Sequence, residues 1–232
     1  MKVTFYILLL FLSVNGLAQS GQDSLLLLNG KSYKGKIEGI TNINGESVLK
    51  MSTNLGKKNN NRYDYFGTYR IYSYTKDGKD TVLYQPNESL GDFLSVKETK
   101  DVTIGSYDAR KTFKPHVPFW TGVGIGFASS LWDTYLTKKS AYDTTLITQK
   151  EPGFFKSKPS VFPFFVPVVL SVSWSFPTFK LRQKKMIHTE YINNENYYRG
   201  YHRIAKQKRM LGALVGGVSG IISGMIVYYA VQ

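Results

Sequence analysis

The sequence predicts an α+β membrane protein. A small antiparallel β domain, either a barrel or a curled sheet, is followed by an amphipathic helix and two or three transmembrane helices. Three observations lead there. Met210 to Ala230 is a run of twenty-one residues without a charge, and at about 1.5 Å per helical residue it matches a hydrocarbon core roughly 30 Å thick. Between residues 23 and 88, short alternating runs are separated by Asn-Gly and Asp-Gly pairs, the signature of hairpins. A capped helical stretch then precedes three hydrophobic segments, at 119–136, 161–179 and 210–231.

The chain opens with Lys2, an apolar run from Phe5 to Leu12 and small residues at Gly16 and Ala18. That layout predicts a secretory signal over 1–18 and export of the rest of the chain. There is no cysteine, which excludes a lipidated cysteine, a disulfide framework, a thiolate metal site and a cysteine nucleophile. The β domain is placed at 23–88. Leu25 to Leu28 ends at Asn29-Gly30, and Tyr33, Gly35, Ile37 and Gly39 alternate with Lys34, Lys36 and Glu38. Asn44-Gly45 turns the chain into a strand from Ser47 to Thr53, and a polar loop follows at Asn54 to Asn61. Phe66 to Tyr74 reads as one aromatic strand, Asp77-Gly78 as a turn and Thr81 to Tyr84 as the last strand.

Ser95 and Glu98 have the spacing of a capping box, which predicts a connecting helix over 95–114 that ends at Pro115 and Pro118. The membrane domain is placed at 118–232. Its first segment has only thirteen uncharged apolar or small residues, Phe119 to Leu131, before the anchor Trp132 and Asp133. The second contains Pro163, Pro167 and Pro177, and the third is the glycine-rich run closed by Tyr228 and Tyr229. If all three segments span and the β domain is exported, the connector 180–209 lies outside. The positive-inside rule asks for the opposite, because the connector holds nine Lys/Arg against two Asp/Glu. A first segment lying in the interface removes the conflict, and charge favours that two-span version.

Half of the net charge of +14 sits in this connector. Lys180, Arg182, Lys184, Lys185, Arg199, Arg203, Lys206, Lys208 and Arg209 are expected to meet lipid headgroups or to set topology. The near-balanced β domain argues against nucleic acid as a partner. Gly212, Gly216, Gly220 and Gly224 recur at every fourth position, and Gly122 and Gly126 repeat the spacing. Such a stripe lets another backbone approach closely. It serves either a second protein or copy, in a homo-oligomer, or a neighbouring segment of the same chain.

No catalytic, cofactor or metal constellation emerges. His116, His188 and His202 lack paired metal spacing, and His188 with Glu190 reads as a solvated loop. Asp133, between Trp132 and Tyr135, reads as a headgroup-level residue. The expectation is therefore not an enzyme and no cofactor.

Three stretches carry a resemblance: Tyr74-Thr75-Lys76-Asp77-Gly78-Lys79-Asp80-Thr81-Val82-Leu83-Tyr84, Gly105-Ser106-Tyr107-Asp108-Ala109-Arg110, and Tyr198 to Arg209. Together they resemble a group of uncharacterised exported membrane proteins of Bacteroidota-type Gram-negative bacteria, in which signal peptide, β domain, G-x-x-D-A helix and glycine-rich membrane segments follow in this order. The resemblance implies architecture and location only. The expected protein is a multi-pass, inner-membrane accessory or scaffold component of the cell envelope. It binds lipid and an envelope protein through a periplasmic N-terminal domain. An oligomeric transporter or channel subunit is the alternative, and a membrane enzyme acting on lipid or cell wall is the second.

Overall fold

The computed structural model describes residues 22–53, 62–142, 162–177, 181 and 183–230. The expected leader and the polar loop at 54–61 lie outside the described residues. The chain divides into two compact units, Met1–Tyr107 and Asp108–Gln232.

The first unit is built on strands β1 (Asp23–Leu27), β2 (Ser32–Ile43), β3 (Glu46–Thr53), β4 (Arg62–Gly67), β5 (Ile71–Lys76) and β6 (Lys79–Val82). They form one antiparallel sheet in the order β4-β3-β2-β1-β5-β6. The sheet is open, which corrects the barrel alternative. Closure would require β4 to pair with β6, and β6 is only four residues long and exposed throughout.

The turns follow from local chemistry. Asn44 and Gly45 take φ of 52° and 86°, and Asp77 and Gly78 take 50° and 76°. Two successive left-handed residues match the twist of the flanking strands, and Asn, Asp and Gly accept that conformation at least cost. Gly30 is needed twice over. Its φ is 75°, and a Cβ there would lie 2.5 Å from the backbone of Ser106 and Tyr107.

The stretch from Phe66 to Tyr74 is not one strand. A 3-10 turn at Thr68–Arg70 separates β4, which pairs with β3, from β5, which pairs with β1. The chain therefore leaves one side of the sheet and re-enters on the other. Alternate residues of the inner strands supply the core: Leu25, Leu27, Ile37, Leu49, Met51 and Ile71. Buried Asp23 joins three elements, accepting the N–H of Ile37 at 2.8 Å and of Asp77 at 3.0 Å.

Helix α1 (Val96–Thr112) opens on reciprocal cap bonds. The Ser95 hydroxyl accepts the Glu98 N–H at 3.3 Å, and the Glu98 carboxylate accepts the Ser95 N–H at 2.9 Å.

The second unit holds α2 (His116–Tyr142), α3 (Phe162–Ser173) and α4 (Glu195–Ala230). Among the described residues one helix, Glu195–Val227, is long and apolar enough to cross a membrane. Helix α3 is twelve residues long, about 18 Å at 1.5 Å per residue, so the segment expected at 161–179 is helical over only part of its length. Pro177 biases the residue before it away from helix, in keeping with an end at Ser173.

Helices α2 and α4 run parallel and close together. Gly212 meets Pro115, Gly216 meets the carbonyl of Phe119, Gly220 that of Val123, and Gly224 the side chain of Ser130. From the other side, Gly122 meets Ala213 and Gly126 meets Gly217. Helix α3 runs the opposite way, since Gly217 abuts Pro167 while Arg209 bonds to the carbonyl of Pro177.

Small residues thus face inward, and large apolar ones face out. Trp120, Ile125, Phe164, Val169, Leu211, Val215, Ile222 and Ile226 are all exposed. Hydroxyls within the helices bond back to their own backbone, Ser219 to Val215 O at 2.8 Å and Ser223 to Ser219 O at 2.9 Å. Such bonds satisfy these hydroxyls without water.

Candidate functional site

Among the described residues of the second unit, a polar cluster lies where the end of α1 meets the connector and the first turns of α4. Asp108 is fully buried at its centre. Its Oδ2 accepts the N–H of Ile187 and of His188, each at 3.1 Å, and the Tyr197 hydroxyl at 2.7 Å. Its Oδ1 lies 2.9 Å from Nδ1 of His188. A carboxylate deprived of water needs several donors, and this one has four. The connector presents two of its amides together because it is folded into 3-10 turns at Gln183–Lys185 and Thr189–Tyr191.

Tyrosines pack the cluster. Tyr191 stacks on Tyr197 with ring centres 5.5 Å apart, and His188 sits edge-on to Tyr191 at 6.4 Å. Tyr201, also fully buried, shares a 3.0 Å hydrogen bond with the hydroxyl of Thr112. His188 therefore belongs with Asp108, not in a solvated loop with Glu190. An imidazole oriented by a carboxylate can relay a proton. Here the same bonds also fasten the connector to the helix end.

The nine basic residues divide by role. The Lys208 ammonium donates to the carbonyls of Ala109 at 3.1 Å, of Phe113 at 2.9 Å and of Arg110. These carbonyls lie at the negative end of α1, where the Ala109 carbonyl also accepts the Phe113 N–H. Arg209 is buried and donates to Pro177 O at 2.7 Å. Lys185, Arg199, Arg203 and Lys206 are exposed. Lys180 and Arg182 lie outside the described residues, as do the side chains of Lys184 and Asp133. Of the six expected packing glycines, five line contacts between α2 and α4, and Gly212 abuts Pro115.

Sequence reasoning missed Asp108 as a hub. Its partners lie 79, 80 and 89 positions away, and no local period reports a contact of that span. Among the described residues no group of three His, Asp or Glu could hold a metal ion. No protein-family model, curated protein or solved structure matches the chain.

Proposed function

We propose that the chain is a multi-pass protein of the inner membrane with its β unit in the periplasm, and that it acts by binding, as an accessory or scaffold component of the envelope. The observation that carries this reading is the inverted surface of α4. Its small residues meet α2 and α3, and Leu211, Val215, Val218, Ile222 and Ile226 face outward. Only 33% of its most apolar window is buried, unlike a core helix of a water-soluble protein, and hydrocarbon is the solvent that such a face suits.

In this reading α2 and α4 cross in the same direction and α3 returns between them. The connector then lies on the side at which α1 ends, since Lys208 and Asp108 bond it to that end. That gives an odd number of spans, three if α2 and the segment around α3 both cross, in place of the two-span version preferred on charge. Part of the conflict eases because Lys208 and Arg209 are engaged with backbone carbonyls. The glycines serve packing within the chain, which weighs against an oligomeric channel joined along them. The β4 edge, with Tyr63 and Tyr65 exposed beside it, is our choice for the partner contact, by addition of a strand.

Single cysteines at Ser52, Ser157 and Thr189 test the topology, using a membrane-impermeant maleimide after the outer membrane is opened. Ser52 and Thr189 are expected to react and Ser157 to stay protected. Reaction at Ser52 and Ser157 without Thr189 would restore the two-span version. A photocrosslinker at Tyr65 tests the binding role, with one discrete envelope protein expected as the adduct.

A further inference from the structure

We propose that the groove between α3 and α4, together with the arginines above it, holds one anionic phospholipid. The proposal rests on the membrane reading and deepens it by naming the lipid class.

The groove is lined by carbon-rich side chains, among them Phe164, Pro167, Val168, Leu214, Val218 and Ile222, and encloses about 380 Å³. That volume suits a chain-like apolar ligand. Pro167 helps to shape it. Having no amide hydrogen it leaves a turn of α3 less tightly bonded, and its ring rests on Gly217.

The α4 stripe that forms one wall continues toward the N-terminus. Steps of four and three residues lead back from Leu214 to Met210, Gln207 and Arg203. Arg203 stands eleven residues before Leu214, roughly 16 Å along the axis at 1.5 Å per residue. An acyl chain in the groove would therefore carry its phosphate toward Arg203. Arg203 is not isolated, because Arg199 stands one helical turn before it on α4 and both side chains are exposed. Guanidinium groups one turn apart on a helix repel one another, and a phosphate relieves that repulsion while accepting paired N–H bonds. A zwitterionic headgroup returns a positive charge to the same place and relieves less. The complementarity therefore selects a headgroup with net negative charge.

The test uses the full chain in nanodiscs of phosphatidylcholine containing a graded fraction of phosphatidylglycerol, with retained lipid counted by native mass spectrometry. One phosphatidylglycerol is expected to be retained in preference to phosphatidylcholine. Arg203→Gln is expected to weaken retention roughly fivefold, the equivalent of about 1 kcal/mol per basic residue. Val218→Trp, at an exposed position in the groove, is expected to abolish it with the arginines intact, and Ile222→Trp serves as a second groove variant. Loss with Arg203→Gln but not with either groove variant would overturn the proposal in favour of general charge attraction. Competition by soluble glycerophosphoglycerol as strong as by the lipid would overturn it too. So would a dimer mass lost in Val218→Trp, which would put a second copy in the groove. A chain that stays in phosphatidylcholine discs but shows no selectivity removes the lipid site alone. A chain that never enters discs removes the membrane reading with it.

Discussion

Tyr197 donates its hydroxyl to Asp108 over 2.7 Å, although 89 positions separate the two residues. The bond closes a loop containing all of α2 and α3, and the entropy lost on closure has to be offset by what the cluster gains. Asp108 provides that gain by accepting donors that burial would otherwise leave unsatisfied.

Asp108→Ala is expected to be severely destabilising. The amides of Ile187 and His188 and the Tyr197 hydroxyl would each lose their acceptor, at about 1–3 kcal/mol for a buried orphan. Tyr197→Phe removes one bond and is expected to cost about 1 kcal/mol. Thermal unfolding of the purified protein in detergent measures both. An unchanged midpoint in Asp108→Ala would show that the cluster does not hold the connector.

Two glycine substitutions in adjoining helices should have opposite signs. A methyl group at Gly216 would run into the carbonyl of Phe119, whereas nothing lies within 4 Å of one at Gly124. Gly216→Ala is expected to destabilise by about 1–3 kcal/mol through overpacking. Gly124→Ala is expected to stabilise by up to about 1 kcal/mol through helix propensity. Midpoints moving in the same direction would contradict the close approach of α2 and α4.

Lys208 and Lys206 carry the same charge two residues apart, yet only Lys208 reaches the carbonyls that end α1. Lys208→Met is expected to cost about 1 kcal/mol, and Lys206→Met to stay within about 0.5 kcal/mol of the parent. Equal effects would mean that the ammonium acts through general charge, not as a cap.

The cap of α1 should be sensitive to acid. The Ser95 hydroxyl, and after it the Ser95 N–H, hold the Glu98 carboxyl below its usual range. A carboxyl lowered on folding contributes stability above its unfolded value and loses that contribution as pH falls through the lowered value. Glu98→Gln should therefore unfold at a lower temperature than the parent at neutral pH. The difference should narrow as pH falls through the carboxylate range. A constant difference from pH 7 to pH 3 would assign the effect to packing.

The legible parts of the molecule are those decided within a few residues. Asn44-Gly45 and Asp77-Gly78 announce turns because few other residues take φ above zero twice in succession. Tyr33 and Ile37 alternate with lysines because one face of β2 meets the core. The open sheet was not legible, since order and closure depend on which strands find each other across the chain. Nor was the split at Thr68–Arg70, because Phe66 to Tyr74 has strand-forming residues on both sides of the turn. The apolar stretch ending at Phe179 overstated its helix, because hydropathy registers Phe176 as apolar and ignores the proline after it. The site was least legible of all. Asp108 reads as one more surface acid on a weak helix until His188 and Tyr197 are brought to it.

The parallel pairing of α2 with α4 also imposes an order of events on synthesis. The face of α2 from Phe119 to Ser130 is made early, whereas Gly216, Gly220 and Gly224, which cover it, leave the ribosome about a hundred residues later. A nascent chain therefore carries α2 with an unmet seam until residues 216–224 emerge. Premature termination before residue 212 would leave that seam permanently open, giving a fragment marked for capture by chaperones or proteases.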